Sequence, residues 1–127
     1  MEVRPLWHVL VIDWTVVENT PPASRRPLEV QRWHFRVERL AKMVDRSPAE
    51  LASELKEEAR DEARRQRRWM EASLAEDLAV SRALGRQVNP PWRRKLQDLA
   101  DISGQPRDAV RARVAAAAAS IQVVEAR

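Results

Sequence analysis

The chain has 127 residues, no cysteine, and a formal charge of +4 from 23 lysines and arginines against 19 acids. That length suits one domain, or a small domain with an arm, and holds a modest core without staples. The lack of cysteine excludes disulfides, thiolate metal sites and cysteine nucleophiles, and no apolar run approaches the roughly 20 residues that span a bilayer. The N-terminal residues lack the pattern of a secretory leader, so the expectation is a cytoplasmic protein with no membrane partner.

Residues 6–18 are dense in β-branched and aromatic side chains and read as a strand. Leu10, Ile12, Trp14 and Val16 would lie on one face, with Trp7, Val9, Val11 and Val17 on the other. A lone strand cannot satisfy its own backbone groups. No second strand follows, so the predicted partner is the same strand of another copy. Residues 19–26, with Pro21 and Pro22, read as a linker.

From Pro27 the period changes. Val30, Trp33, Val37, Leu40, Ala41 and Val44 recur at spacings of three and four, one face of a helix ending near Asp45. Ser47, Pro48 and Glu50 then form a helix start, with a capping serine, a proline and an early acid. No breaker follows until Gly85, which predicts a helix of roughly 57 Å at 1.5 Å per residue. Its stripes are Leu51, Leu55, Ala59 and Ala63, then Met70, Leu74, Leu78 and Leu84. It is either continuous and paired with a partner, as in a coiled coil, or broken near residue 72, where Ser73 and Glu76 could form a second cap. The basic collar at residues 64–68 follows Glu57, Glu58, Asp61 and Glu62, a spacing that favours a self-compensated exposed face.

Asn89, Pro90 and Pro91 start a further helix bearing Trp92, Leu96, Leu99 and Ser103. Gly104 ends it, and Pro106 opens the last helix, with Val110, Val114, Ala117 and Ile121 as its stripe. The fold class is therefore mainly α: one N-terminal β-strand pairing between subunits, then about four helices including a long central one and a C-terminal helix-turn-helix-like pair. The expected division is 1–26, 27–88 and 89–127.

Residues 99–114 match the spacing a helix-turn-helix needs. Ala100 lets the helices approach, Gly104 turns the chain, and Val110 docks the second helix on the first. Its exposed face would present Gln105, Arg107, Arg111 and Arg113 to a major groove. A similar junction occurs at residues 40–51, and with the strand ahead of it resembles the ribbon-helix-helix family of DNA-binding dimers. The residues that carry the likeness are Val37 to Ala41 and Asp45 to Leu51. The resemblance implies a strand paired across a dimer and DNA read in the major groove.

Nothing in the chain forms a catalytic constellation, and no metal or cofactor is expected. His8 and His34 lack metal-ligand spacing, and two glycines cannot build a phosphate loop. The acids Glu54, Glu57, Glu58 and Asp61 lack the second acidic helix a cation site would need. The leading expectation is a non-enzymatic DNA-binding regulator acting on duplex DNA as a homodimer through Gln105, Arg107, Arg111 and Arg113. Trp7, Val9, Val11, Trp14, Leu51, Leu55, Met70 and Leu74 are the expected oligomer contacts. The alternative is a helical assembly or adaptor protein that docks on another protein through the apolar segment and the long helix.

Overall fold

A computed structural model describes residues 3–122. Five helices account for its regular structure: α1 (Arg4–Glu18), α2 (Pro27–Val44), α3 (Pro48–Ala83), α4 (Pro90–Ser103) and α5 (Arg107–Ala119), with a 3-10 turn at Pro22–Ser24. No strand occurs among the described residues.

The expected N-terminal strand is therefore corrected to helix α1. Its buried residues, Leu10, Val11, Trp14 and Thr15, follow the helical period. Ile12 and Val16, which a strand would place beside Trp14, are 59% and 62% exposed. β-Branched propensity is a weak prior that packing overrides, and a helix satisfies its backbone groups within itself. Pro5 adds to this by pre-setting a helical φ in the first turn. Thr15 turns its hydroxyl back onto the Val11 carbonyl at 2.7 Å, which removes the polar cost of its burial. With the strand gone, the ribbon of the ribbon-helix-helix resemblance has no counterpart in residues 6–18.

The long helix α3 runs unbroken past residue 72. The chain nevertheless divides into two compact units inside it, Met1–Arg65 and Gln66–Arg127. The first unit packs α1, α2 and the start of α3 around Leu10, Val11, Trp14, Trp33, Val37, Leu40, Ala41, Leu51, Leu55 and Ala59. The second packs the end of α3 with α4 and α5 around Leu74, Ala75, Ala79, Trp92, Leu96, Leu99, Ala100, Val110, Val114 and Ala118. Ala118, rather than the expected Ala117, completes the α5 stripe.

The two cores follow one pattern. Trp33, Val37, Leu40, Ala41, Leu51, Leu55 and Ala59 are matched in order by Trp92, Leu96, Leu99, Ala100, Val110, Val114 and Ala118. The interval is always the 59 residues that separate Trp33 from Trp92. The turns correspond too. Arg46 N–H donates to the Ala41 carbonyl at 3.0 Å, and Gln105 N–H to the Ala100 carbonyl at 3.1 Å. Both bonds close a helix end around a left-handed residue, Asp45 at φ 53° and Gly104 at φ 64°. In each unit the tryptophan indole donates to a carbonyl of the unit's first helix, Trp33 to Leu10 at 2.8 Å and Trp92 to Leu74 at 2.9 Å. The junction at 40–51 that echoes 99–110 in sequence is thus one part of a repeated three-helix pattern.

Candidate nucleic-acid interface

The second unit is built so that α4 and α5 present basic side chains outward. Asn89 caps α4 by accepting the Trp92 N–H at 3.0 Å, which frees one orphan donor from water and anchors the helix start. Trp92 then enters the core, leaving Arg93, Arg94 and Lys95 exposed in the opening turns. Basic groups there oppose the helix dipole, a position in which an anion is favoured and a cation is not. On α5, Arg107 and Arg111, one helical turn apart, flank the buried Val110 and Val114 and are themselves exposed. The side chains of Arg93, Arg94, Lys95, Arg107 and Arg111 make no ion pair or hydrogen bond with any described residue.

The other two expected DNA contacts are placed differently. Arg113 pairs with Glu71, Nε at 2.9 Å and Nη2 at 2.8 Å from Oε1. Its Nη1 also donates to Gln105 Oε1 at 2.6 Å. Gln105 and Arg113 are therefore tied to each other and to α3, whereas Arg107 and Arg111 are not. The basic run at 93–95 was missed by the sequence reading; its signal was three consecutive cations directly after a helix start.

In the first unit several arginines are paired with acids. Arg36 pairs with Asp13, Arg46 with Glu54, and Arg60 with Glu18. Arg64 pairs with Asp61 and Arg65 with Glu62 along α3, so this part of the basic collar is compensated by its own helix. Arg46 holds the Glu54 carboxyl below its ordinary range through their hydrogen bond. At the positions corresponding to Arg107, Arg111 and Arg113 the first unit carries Pro48, Ala52 and Glu54. At these three matched positions the cations thus occur in the second unit only.

Charge counts follow the same division. Residues 1–65 hold 12 basic and 12 acidic residues, and residues 66–127 hold 11 and 7. The whole excess of +4 belongs to the second unit.

The expected oligomer contacts fall into three groups. Val11, Trp14, Leu51, Leu55 and Leu74 are buried inside the cores of one chain. Trp7 and Met70 are half-buried against those cores, and Trp7 Nε1 donates to Glu58 at 2.7 Å. Val9 is 40% exposed. Beside it, Leu6, Ile12 and Val16 are also exposed, so the outward face of α1 is apolar as well.

A polar cluster in the first unit was not anticipated. The Trp14 and Trp33 rings lie 4.5 Å apart, His34 sets its edge against both, and Lys56 Nζ sits 4.5 Å over Trp14. His34 Nδ1 lies 2.9 Å from the Val30 carbonyl. A carbonyl only accepts, so Nδ1 carries the hydrogen and Nε2 accepts from Lys56 at 3.2 Å. Burial lowers the Lys56 ammonium from its ordinary range, Arg60 adds to this, and Glu18 opposes it. The cluster fixes α1, α2 and α3 to one another in this unit, a structural rather than a chemical role. Among the described residues no group of three or more His, Cys, Asp or Glu side chains could hold a metal ion, and no helix is long and apolar enough to cross a membrane. No protein-family model, curated protein or solved structure matches the chain.

Proposed function

We propose that this protein is a non-enzymatic, cytoplasmic DNA-binding regulator that acts as a homodimer. Its Gln66–Arg127 unit docks on duplex DNA, and its Met1–Arg65 unit serves association. The carrying observation is the segregation of charge: the first unit is neutral and the second holds all of the +4 excess. Within that second unit, Arg93, Arg94, Lys95, Arg107 and Arg111 are exposed and make no ion pair among the described residues. Unpaired exposed cations on two helices of one unit favour a polyanion, because neutralising phosphates releases condensed counterions. On this reading Arg107 and Arg111, both exposed, are the contacts of the expected set that face the DNA. Arg113 and Gln105 act as supports that hold α5 against α3.

The test is binding to a duplex oligonucleotide by fluorescence anisotropy across a salt series. The expected result is a linear fall of log affinity with log salt. Replacing both Arg107 and Arg111 by alanine should lower that slope by about two for each protomer bound. Absence of binding at low salt, or an unchanged slope in the double variant, overturns the proposal.

A second reading, a helical adaptor for other proteins, is favoured by one observation, the exposed apolar face of α1. A large defined assembly that ignores DNA would support it over the first.

A further inference from the structure

The outward face of α1 is a ridge of Leu6, Val9, Ile12 and Val16, between 40% and 62% exposed. In a chain that is 33% charged, this ridge is unusual for what it lacks. The charged residues of α1 are Arg4, Asp13 and Glu18. Asp13 is engaged by Arg36 at 2.7 Å and Glu18 by Arg60 at 3.2 Å. Beside the ridge, α1 and α2 enclose an apolar groove lined by Leu6, Leu10, Leu40 and Met43, with Arg36 and Arg39 at its rim. Arg39 is exposed and its guanidinium makes no hydrogen bond or ion pair with a described residue.

We infer that this face is where two copies of the chain meet, the α1 ridge of each copy seated in the α1–α2 groove of the other. The inference rests on the reading of the protein as a homodimer and names the surface that makes it one. The occupant follows from chemistry. A groove that is apolar at its floor and basic at its rim takes an apolar helix carrying few cations and an acid. The chain's own α1 is such a helix: its outer face is apolar, and its Asp13 can be shared between Arg36 of its own chain and the unpaired Arg39 of the other. A ridge beside its own matching groove is self-complementary, as a two-fold interface requires. Pairing also removes from water the apolar face that a monomer would leave exposed.

The experiment is sedimentation equilibrium of the full chain at concentrations up to about 100 μM, far above the dissociation constant of a standard-sized specific interface. Ile12→Glu, Val16→Glu and Met43→Glu would be compared with Val80→Glu, an apolar residue of similar exposure in the other unit. The expected result is a wild-type dimer that the first three variants weaken at least about tenfold and Val80→Glu leaves unchanged. Circular dichroism checks that each variant keeps its helices. Should a ridge variant unfold, Ile12→Cys in this cysteine-free chain gives a second reading: a short bismaleimide should link two copies through Ile12→Cys and not through Val80→Cys. A monomeric wild type overturns both the homodimer and this interface. A dimer indifferent to the ridge variants, or cross-linked equally through both cysteines, overturns the interface alone. Loss of DNA binding in Arg107→Ala/Arg111→Ala has no bearing on either mass measurement.

Discussion

The Trp92 indole donates its N–H to the carbonyl of Leu74 at 2.9 Å, joining α4 to α3 inside the second core. Trp92 is 5% exposed, so the bond satisfies an indole that would otherwise be buried without a partner. Trp33 makes the corresponding bond to Leu10.

Trp92→Phe and Trp33→Phe are therefore expected to destabilise by similar amounts, about 1–3 kcal/mol each, because each leaves a carbonyl deprived of its donor. Urea unfolding measures the totals. Hydrogen exchange should show protection lost in α4 for the first variant and in α2 for the second.

The two matched turns differ in one residue type. Asp45 and Gly104 both adopt left-handed backbone, and only glycine does so without a steric cost. Asp45→Gly should raise stability by about 0.5–1 kcal/mol, and Gly104→Ala should lower it by about 1–2 kcal/mol. An added methyl at Gly104 meets nothing within 4 Å, so the loss would report backbone strain alone. Thermal unfolding of the two variants checks the opposite signs.

Glu71 holds Arg113 away from solvent partners. Glu71→Gln should cost little stability, about 0–1 kcal/mol for a partly exposed pair. It should also release one cation next to the proposed interface, making the salt dependence of DNA binding steeper by about one for each protomer bound. Anisotropy titrations of wild type and variant side by side provide the comparison.

Acid should act on the first unit through Glu54. Its carboxyl is held below the ordinary value of 4.5 by the Arg46 hydrogen bond. A depressed folded-state value means the unfolded chain takes up the proton first as pH falls. The stabilisation is thus complete above 4.5 and disappears as pH drops through the lower folded value. Melting temperatures of wild type and Glu54→Gln measured from pH 7 downwards should differ above that point and converge below it.

Read by itself, the sequence determined where four of the five helices run and which faces they bury. The stripes at Trp33, Val37 and Leu40, at Leu51, Leu55 and Ala59, and at Trp92, Leu96 and Leu99 are long and regular, and Pro27, Pro48, Pro90 and Gly104 punctuate them. The segment 6–18 went the other way because apolar residues cover nearly its whole circumference, so strand and helix periods both fit. Only the packing of Leu10, Val11 and Trp14 against α2 and α3 selects the helix. The basic face was half legible for a similar reason. Spacing along α5 puts Arg107 and Arg111 one turn apart, but whether an arginine is free depends on what lies across from it. Glu71, far away in the chain and near in space, claims Arg113, while Arg107 and Arg111 are exposed and make no ion pair among the described residues. Local periodicity is written in the order of residues, whereas the pairing of charges and the choice between two apolar faces belong to contacts that only folding creates.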